Sequence, residues 1–469
     1  MKKEPPSVAV ILAAGKGTRM RSSKPKVLHE VCGKAMLSWC IEAAKTVCDD
    51  VLVGLGHKRE DVRAHLPEGT LEAVQDPPKG TGDALRVASE KLPSEGVVIV
   101  LPSDAPLIQA ATLQRLLESH QEALCTVLTA HIKPQESATS GYGRIVRDDK
   151  GQCLRIVEAA HASEKEKMLT EVNTGIYAFD ASWLYVEVLP FLEAHPPKGE
   201  YYLTDAIEKA ALSGRLQAIE HDDLTEVTGV NDREALAQLE ELARQQINSD
   251  WMKKGVRFVD PKCTYVDAEV VLSADVELGP GVVLKGTTRI GEGAHIGAYC
   301  HLRNCEVDAH ATVLPLSVAD SAHIGPHSSV GPFARLREGT VLEEGSKVGN
   351  FVEIKKTRLG PGAKANHLSY LGDSDIGSKA NIGAGTITCN YDGHNKHSTT
   401  IGANAFIGSN SALVAPVTIG DGAIVGAGST INQNVPNNAL GIARAKQANV
   451  PDLASLIHAK NKQDQDSEK

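Results

Sequence analysis

The feature that most constrains this chain is a six-residue rhythm in its second half, which begins near Val256. An aliphatic residue, often followed by glycine, recurs at six-residue steps, as at Ile290, Ile296, Ile324, Val330, Val348, Ile376, Ile382, Ile401, Ile407, Ile419 and Val425. The pattern is typical of a parallel β-helix, in which aliphatic side chains of successive coils point inward and stack. We therefore predict a left-handed parallel β-helix of hexapeptide repeats, with three repeats in each coil.

One interruption of this rhythm predicts a loop. The step from Ile387 to Ile401 takes 14 residues, two more than two repeats require. Residues 391–399 between them are polar, so we expect them to be extruded from the coil. Extruded polar loops often carry function.

The residues that precede the rhythm have a different pattern. Short, continuous apolar runs at 8–12, 50–54 and 97–101 are typical of parallel strands that are buried on both faces. A helical pattern at 113–123 lies among them, which favours an open α/β sheet. A second helical pattern at 235–251 predicts a connecting helix. A chain of 469 residues also exceeds one ordinary core.

These patterns together give the domain organisation that we expect. Residues 1–233 form an α/β domain, 234–254 a connecting helix, 255–446 the β-helix, and 447–469 a C-terminal tail without regular structure. The tail is predicted from its many charges and its lack of apolar periodicity.

Composition excludes several classes of protein. The net charge of −10 disfavours nonspecific binding to nucleic acid or to a membrane surface. No apolar run approaches the roughly 20 residues that a membrane-spanning helix needs. Nine cysteines are scattered without a Cys-x-x-Cys pair, which indicates a reducing compartment, so we expect a cytoplasmic protein. The apolar run at 8–14 resembles a short signal peptide, but we interpret it as the first strand.

A glycine-rich turn follows that first strand and suggests phosphate binding. Gly15 and Gly17 leave the backbone N–H groups accessible, while Lys16, Arg19 and the later Lys26 supply positive charge. The spacing matches neither a Rossmann fingerprint nor a Walker loop. The alternative is an ordinary strand-to-helix turn without a ligand.

Asp104 lies just beyond the run 97–101, at the end of a strand where α/β sheets place their ligands. A carboxylate at this position often binds a metal ion. One carboxylate and an amide would suit Mg²⁺, which takes few protein ligands and completes its octahedron with water and phosphate oxygens. The alternative role for Asp104 is that of a helix cap.

Two cations in the second half are predicted to stack. Arg337 and Lys355 each follow a residue of the six-step ladder and are separated by one full coil. Strands of successive coils lie roughly 4.8 Å apart, so the two side chains should share one wall. Stacked like charges repel unless an anion compensates them, and a sugar phosphate would do so. The alternative is a pair of solvated surface cations.

The combination of motifs resembles a known bacterial family, the bifunctional N-acetylglucosamine-1-phosphate uridyltransferase/glucosamine-1-phosphate acetyltransferases. In the first half the resemblance rests on residues 12–20, 25–28 (Pro-Lys-Val-Leu), 80–82 (Gly-Thr-Gly), 141–144 (Gly-Tyr-Gly-Arg), 171–175 (Glu-Val-Asn-Thr-Gly), 199–202 (Gly-Glu-Tyr-Tyr) and 229–231 (Gly-Val-Asn). In the second half it rests on residues 335–337, 350–356, 366–370, 381–385 and 390–393.

For the first half, the resemblance implies a Rossmann-like nucleotidyltransferase domain that transfers a uridylyl group from UTP to N-acetylglucosamine-1-phosphate. It implies Mg²⁺ on Asp104 and Asn231, and Arg19 and Lys26 as catalytic cations for the phosphates. Gln75, Gly80 and Thr81 would hold the uracil, and Gly143, Glu158 and Asn173 the acetylated sugar. Further residues of the implied nucleotide site are Leu12, Ala13, Ala14, Gly15, Pro102 and Ser103.

For the second half, the resemblance implies acetyl transfer from acetyl-CoA to glucosamine-1-phosphate, the step that precedes uridylyl transfer. His367 would be the general base, since an imidazole titrates near the working pH. The implied ligands of glucosamine-1-phosphate are Arg337, Lys355, Tyr370 and Asn381, and those of acetyl-CoA are Ala384, Asn390, Tyr391, Ser409, Ala427 and Arg444. Family members are homotrimers, with acetyl-transfer sites assembled between neighbouring prisms.

Two departures from the family leave alternatives open. Ser103 stands where the family usually has glycine, and Ala159, Ala160 and His161 replace its usual Lys-Asp-Ala run after Glu158. The loss of a cation near the phosphates suggests a second possibility, an acetyltransferase whose nucleotidyltransferase half is impaired or has changed specificity. Two further rivals are a nucleotidyltransferase with a β-helix that only oligomerises or regulates, and a scaffold without activity.

Overall fold

The computed structural model describes residues 6–138, 140–194 and 201–467 of the chain. These residues divide into two compact units. The first contains the described residues up to Ile247 together with Val266–Glu269, and the second contains Asn248–Tyr265 and the described residues from Val270 onward. The division falls within one long helix, Arg233–Lys253.

The first unit is built on a mostly parallel sheet. Its strands, in chain order, are β1 (Ser7–Ala13), β2 (Glu30–Val31), β3 (Lys34–Ala35), β4 (Asp50–Leu55), β5 (Leu71–Val74), β6 (Val97–Pro102), β7 (Cys125–His131), β8 (Arg144–Arg147), β9 (Cys153–Val157), β10 (Glu171–Asp180) and β11 (Leu216–His221). The main sheet runs in the order β11-β7-β10-β6-β1-β4-β5; β8 pairs with β10, and β9 pairs with β8. The strands β2 and β3 form a separate two-stranded sheet. The three apolar runs of the sequence lie in β1, β4 and β6, which pair in parallel as predicted.

Helices cover both faces of this sheet. Those of the first unit are α1 (Met36–Lys45), α2 (Arg59–Arg63), α3 (Thr81–Ala88), α4 (Ala110–Ser119), α5 (Pro134–Ser137), α6 (Glu164–Lys167), α7 (Ala181–Trp183), α8 (Leu189–Ala194) and α9 (Thr204–Leu212), with a π-helical turn at Leu184–Val188 and 3₁₀ turns at Thr18–Met20, Lys26–Leu28 and Ser89–Lys91. Leu85 of α3 and Ile207 of α9 belong to the core on one face, and Ile41 of α1 and Leu113 of α4 to the core on the other. This two-sided burial explains why the strands are apolar throughout.

Two helical predictions can be compared with the structure. The pattern at 113–123 corresponds to α4, which begins and ends a few residues earlier than predicted. The pattern at 235–251 corresponds to the helix Arg233–Lys253, here α10. Both helices are therefore confirmed, with shifted ends.

The second unit is the predicted β-helix, and within the described residues its three walls have eleven, ten and nine strands. The first wall contains Arg257–Phe258, Glu277–Leu278, His295–Ile296, Thr312–Val313, Ser329–Val330, Lys347–Asn350, Lys364–His367, Asn381–Ile382, Phe406–Ile407, Ile424–Val425 and Leu440–Gly441. The second contains Tyr265–Val266, Val283–Lys285, His301–Arg303, Val318–Asp320, Arg335–Leu336, Glu353–Lys355, Tyr370–Gly372, Ile387–Cys389, Ala412–Val414 and Thr430–Ile431. The third contains Val271–Leu272, Arg289–Ile290, Glu306–Val307, His323–Ile324, Val341–Leu342, Arg358–Leu359, Ser374–Ile376, Thr399–Ile401 and Val417–Ile419.

The ladder residues fill the interior of this prism. Leu336 pairs with Ile354, and Ile354 pairs with Leu371, so that one buried aliphatic residue of each coil stacks on the next. Successive strands are offset by 18 residues in some coils and by 17 in others. The left-handed parallel β-helix predicted from the rhythm is confirmed.

Three details of the sequence prediction are wrong. Ile387 is exposed and the buried ladder residue is Thr388, whose hydroxyl lies in the wall and binds backbone groups of Gly372. The extruded segment therefore lies between the strands Ile387–Cys389 and Thr399–Ile401, so Thr399 belongs to a strand. The C-terminal tail is also more regular than predicted, since Leu453–Ser467 forms a helix, α11. This segment is rich in Leu, Ala, Lys and Gln, which favour helix even without an apolar stripe.

The corners of the prism use left-handed backbone conformations, and one corner differs from the others. Its residues are large and apolar in five successive coils and all have positive φ and exposed side chains: Tyr299, Leu316, Phe333, Phe351 and Leu368. We call this set the apolar corner. At the other two corners the residues other than glycine that have positive φ are polar or charged, among them Asn304, Ser321, His310, His327 and Lys379.

Across the described ranges, no helix has the length and apolar character needed to cross a membrane. The nine cysteines are all free thiols, and seven of them are buried.

Candidate active sites

A cavity of about 610 Å³ opens at the carboxyl ends of β1 and β6. Ten of the predicted nucleotide-site residues line it: Leu12, Ala14, Gly15, Lys26, Gln75, Gly80, Thr81, Pro102, Ser103 and Asp104. Ala13 is buried in β1. Parallel strands with this topology place ligands at this edge, so the cavity lies where an α/β sheet binds its substrate.

Lys26 is the centre of a polar cluster at this cavity. Its ammonium donates to a carboxylate oxygen of Asp104 in a very short contact, and to the amide oxygen of Asn231 at 2.9 Å. Arg19 donates to the same Asn231 oxygen at 2.8 Å. One carboxylate and one amide oxygen thus converge on a single positive charge. The structure brings together the four residues that the sequence placed at phosphates and metal.

The neighbouring wall of the cavity is fixed by a buried glutamine. The amide of Gln75 donates to the Gly80 carbonyl at 3.1 Å and to Asp83 at 2.7 Å. The Thr81 hydroxyl accepts a hydrogen bond from the backbone N–H of Leu203 at 3.1 Å. Both side chains are therefore held in place, so this wall is preformed.

Gly143, Glu158 and Asn173 lie beside one another because β8, β9 and β10 pair. Arg144 of β8 is opposite both Val157 and Val172, which brings the preceding Gly143 next to Glu158 and Asn173. The Asn173 N–H donates to the Gly143 carbonyl at 2.9 Å, and the Glu158 carboxylate accepts from Thr204 at 2.9 Å. These three residues do not line the cavity of about 610 Å³.

At both places where the sequence departs from the family pattern, the structure shows contacts of the replacing residues. The buried Ser103 hydroxyl donates to the Leu12 carbonyl at 2.6 Å and so does not bind Asp104. His161 closes a turn with Glu158, and its ring meets that of Tyr202 edge-on at 6.2 Å between centroids. Tyr202 lines the cavity and His161 does not, so His161 is connected to the cavity through its contact with Tyr202. Residues 199 and 200 of the 199–202 motif lie outside the described residues.

In the second unit, His367 stands in a column of small residues at the end of the first wall. Asn350 pairs with His367, and the register then places Ala384, Ser409 and Ala427 at the same position in the next three coils. Arg444 donates to the Ala427 carbonyl at 2.7 Å. A narrow, shallow track therefore continues from the imidazole along the prism.

Asn350 orients the His367 ring. Its amide oxygen lies 3.1 Å from Nδ1 of the imidazole. An amide oxygen can only accept, so Nδ1 carries the proton and Nε2 of the neutral ring keeps its lone pair. His367 itself is exposed, and its Nε2 is available to a ligand.

Arg337 and Lys355 lie on the second wall, one coil apart, as predicted. Leu336 pairs with Ile354, and the Arg337 N–H donates to the Ile354 carbonyl at 2.8 Å. Arg337 also pairs with the Glu353 carboxylate at 2.9 Å. Glu353 therefore supplies part of the negative charge that was expected to come from a sugar phosphate. In the described part of the chain, the Lys355 ammonium forms no ion pair.

Gly372 occupies the next position in the column of Arg337 and Lys355. A Cβ atom there would lie 2.6 Å from the Tyr370 hydroxyl and 2.6 Å from the Asn390 amide nitrogen. The missing side chain thus leaves room for the phenol and the amide beside Gly372. The Asn390 amide also donates to the Asp373 carboxylate, which fixes its orientation.

Asn381 and Tyr391 are less closely associated with this group. Asn381 belongs to the first wall, where it pairs with Lys364 and Phe406. It lies three residues along the strand from the His367 column, a distance of roughly 10 Å. The Tyr391 ring is exposed in the loop, under the Lys396 ammonium at 4.3 Å. Within one chain, the structure therefore does not bring Asn381 to Tyr370.

The base of the extruded loop is organised by Asp392. Its carboxylate accepts from the backbone N–H groups of Asn395 and His394 and from the His397 ring at 2.6, 2.7 and 2.7 Å. The Asn395 N–H, followed by the His397 ring and the His394 N–H, holds the pKa of Asp392 well below its usual range. The loop next to Asn390 is thus built around a charged carboxylate.

Sequence reasoning missed four residues of these sites. Asn350 binds His367, Glu353 binds Arg337, Asp373 binds Asn390, and Tyr202 lines the first cavity. Coil counting would have placed Asn350 under His367, since they are 17 residues apart. No such periodic signal exists for Tyr202.

Comparisons with known proteins cover nearly the whole chain. The family model for a MobA-like NTP transferase domain matches residues 9–256, and the model for the bacterial transferase hexapeptide (six repeats) matches residues 398–433. A protein of Exiguobacterium sibiricum named "Bifunctional protein GlmU" is 46% identical over 450 residues, which cover 95% of this chain and 99% of that protein. Proteins with the same name from Thermotoga petrophila and Staphylococcus haemolyticus are each 45% identical, over 94% of this chain and 96% and 97% of their own length.

Proposed function

The chain belongs to the family of bifunctional GlmU proteins, and from that premise we propose where each of its two reactions takes place. It is a bifunctional transferase that acetylates glucosamine-1-phosphate and then couples the product to UTP, yielding UDP-N-acetylglucosamine and pyrophosphate. Acetyl transfer takes place at the His367 column of the β-helix, and uridylyl transfer at the Lys26 cluster of the first unit. The observation that carries the proposal is the track of Ala384, Ser409 and Ala427 that leads away from the imidazole.

His367 acts as the general base of acetyl transfer. Its Nε2 lone pair, preserved by the Nδ1–Asn350 hydrogen bond, takes a proton as the free amine of the sugar attacks the thioester carbonyl. The amine forms the new C–N bond, and the thiolate of CoA leaves. Arg337, Lys355, Tyr370 and Asn381 bind the sugar phosphate, with Glu353 orienting the guanidinium.

Acetyl-CoA lies along the small-residue track. Ala384, Ser409 and Ala427 leave room for the pantetheine arm, Arg444 at the end of the track binds a CoA phosphate, and Asn390 and Tyr391 contact the thioester end. A row of bulky side chains here would close the track.

In the first unit, Arg19 and Lys26 neutralise the phosphates of UTP while an oxygen of the sugar phosphate attacks the α-phosphorus. Such a transfer depends on positioning and charge neutralisation. Gln75, Gly80 and Thr81 bind the uracil, Gly143, Glu158 and Asn173 the acetylated sugar, and the backbone of residues 12–15 and 102–103 lines the nucleotide.

Asp104 and Asn231 fit a divalent cation, because a carboxylate and an amide oxygen converge there on a positive charge. When bound, Mg²⁺ would shield the phosphate oxygens of UTP. In the structure, the Lys26 ammonium donates to both of these oxygens.

The alternative of an impaired first unit has no support in the comparisons. The Ser103 hydroxyl is bonded to the Leu12 carbonyl and leaves Asp104 to Lys26. Lys26 and Arg19 also remain at the cavity, so the cluster keeps two cations despite Ala160.

The active assembly is a homotrimer in the cytoplasm. The apolar corner supports the homotrimer, because five large apolar side chains are exposed in one line and Leu368 directly follows His367. The position of Asn381 on another part of the first wall suits a site completed by a neighbouring chain. Nine unpaired cysteines suit a reducing compartment.

Two assays and two variants test the location of the reactions. Pyrophosphate release is measured with UTP, Mg²⁺ and N-acetylglucosamine-1-phosphate, and CoA thiol release with acetyl-CoA and glucosamine-1-phosphate. We expect His367→Ala to lower acetyl transfer by roughly a hundredfold or more and to leave uridylyl transfer unchanged. Asp104→Ala should have the opposite pattern. His327→Ala, another exposed histidine of the β-helix, is the matched control and should retain both activities.

Retained acetyl transfer in His367→Ala would remove the imidazole from its role. The loss of both activities in either variant, with folding intact, would contradict two independent sites. If the unmodified protein failed to release pyrophosphate, the impaired-first-unit alternative would hold.

A further inference from the structure

Among the described residues, Arg144 is the largest fully buried side chain, with 0% exposure, although its guanidinium carries a charge. It opens β8 and is paired with Val157 on one side and Val172 on the other. Among the described residues, its guanidinium donates only to main-chain carbonyls: to Ser137 at 2.5 Å, to Ser140 at 3.2 Å, to Lys167 at 3.5 Å, and to Tyr142 in a very short contact.

This arrangement is costly. A buried charge loses its hydration, and a carboxylate partner normally offsets part of that loss. Among the described residues no carboxylate pairs with Arg144, and its Nε has no hydrogen-bond partner. Burial also lowers the pKa of the guanidinium. An apolar residue would fill the space without this desolvation penalty. What arginine adds is a planar guanidinium that can donate to several carbonyls at once.

The carbonyls that Arg144 binds belong to two segments beside the sugar-binding residues. Ser137, Ser140 and Tyr142 lie in the stretch that leads directly into Gly143, whose carbonyl accepts from Asn173. Lys167 ends α6, the helix that follows the turn from Glu158 to His161. The guanidinium therefore connects, through hydrogen bonds, the segment that precedes Gly143 and the segment that follows Glu158.

We propose that Arg144 is a positioning residue for the sugar end of the uridylyl-transfer site, where its buried fork fixes the backbone that presents Gly143 to N-acetylglucosamine-1-phosphate. The inference rests on the proposed function, because it takes Gly143, Glu158 and Asn173 as the sugar-binding residues. It assigns to Arg144 an effect on sugar binding that is separate from UTP binding, since the uracil wall at Gln75 and Thr81 is held by other hydrogen bonds.

The experiment compares Arg144→Lys and Arg144→Met with the unmodified protein. A lysine keeps the charge but donates from a single point, so it cannot hold the same carbonyls at once. We expect Arg144→Lys to raise the KM for N-acetylglucosamine-1-phosphate about tenfold, with the KM for UTP within about twofold of its original value. Arg144→Met should raise the sugar phosphate KM further. Acetyl transfer at the β-helix should be unchanged in both, which reports on the integrity of the rest of the chain.

Arg147→Lys is the matched control, because Arg147 lies on the same strand but binds the Glu171 carboxylate. It should leave both KM values close to those of the unmodified protein. Equal rises of both KM values, or no change in the sugar phosphate KM, would overturn the proposal for Arg144. If Arg144→Met fails to fold, Arg144→Lys alone decides. Absence of uridylyl transfer in the unmodified protein would instead refute the proposed function.

Discussion

At the scale of single residues, Gly372 is the position where the least change should have a clear effect. A methyl group there would lie 2.6 Å from both the Tyr370 hydroxyl and the Asn390 amide, so one or both of these groups must move away from Gly372. We expect Gly372→Ala to raise the KM for glucosamine-1-phosphate about tenfold, with uridylyl transfer unchanged. The measurement is the initial rate of CoA release over a range of sugar phosphate concentrations.

Gly345→Ala separates this effect from the general cost of replacing a glycine in the β-helix. Its added Cβ would meet no atom within 4 Å. Its φ of 66° resembles those of His310 and His327 at the same corner, where L residues are tolerated. This control should keep acetyl transfer at its original level. An unchanged KM in Gly372→Ala would show that Tyr370 and Asn390 do not bind the sugar phosphate from their present positions.

Residue-scale geometry was predictable where it depended on coil spacing. The stacking of Arg337 on Lys355 and of Ser409 on Ala427 follows from an 18-residue step, and the structure has both. The hydrogen bonds of Asn350, Glu353 and Asp373 were not predicted, because they depend on side-chain rotamers and on coils of 17 residues. Ile387 was wrongly assigned to the interior because isoleucine is the more apolar neighbour, whereas the wall accepts Thr388 once its hydroxyl is bonded.

At the scale of elements, the apolar corner is the feature with the most direct consequence. Its five residues adopt left-handed conformations that cost large side chains roughly 1 kcal/mol each, yet their side chains are exposed. Two of them, Phe333 and Phe351, stack with their ring centroids 5.5 Å apart. We expect Phe351→Asp to shift the protein from trimer to monomer and to lower acetyl transfer, while uridylyl transfer persists. Light scattering coupled to size-exclusion chromatography measures the mass.

His327→Asp controls for a charge placed at a left-handed corner. Its φ of 56° is close to the 59° of Phe351, but it lies at a corner without large apolar residues. It should leave the mass and both activities unchanged. A Phe351→Asp protein that stays trimeric would exclude this corner as the interface.

Elements with a strong apolar periodicity could be predicted from the sequence, whereas elements that depend on contacts with distant parts of the chain could not. The β-helix and the strands β1, β4 and β6 follow from apolar patterning, which reports burial directly. The helix Leu453–Ser467 has no apolar stripe and was predicted as an irregular tail, because propensity alone is a weaker signal. The small β8–β9 pair, which brings Gly143 next to Glu158, was not predicted because its pairing depends on contacts distant in the sequence.

At the scale of the whole molecule, the two proposed sites are assembled in different ways. The first unit gathers charges at the end of a parallel sheet, where Lys26, Arg19 and Asp104 meet residues from distant parts of the chain. The second unit repeats one short element, so that residues 17 or 18 apart become neighbours. The residues of the first site were therefore predicted mainly from the family resemblance, whereas those of the second could also be predicted by counting coils.

Within the whole molecule, the stability of the first unit should depend on pH through His120. Its ring is 5% exposed, with Nδ1 2.8 Å from the Thr126 hydroxyl, and burial lowers the pKa of the imidazole to about 4. In the unfolded chain a histidine titrates near 6.5, so between these values the unfolded state binds a proton that the folded state does not. The free energy of unfolding should thus fall as the pH drops, by about 2 kcal/mol from His120 between about pH 7.5 and about pH 5. Urea unfolding, followed by the fluorescence of Trp39 and Trp183, measures the free energy of unfolding of the unmodified protein and of His120→Gln. The variant lacks the titrating ring, so its free energy of unfolding should fall correspondingly less. An equal loss in both proteins would mean that other groups account for the acid sensitivity of this unit.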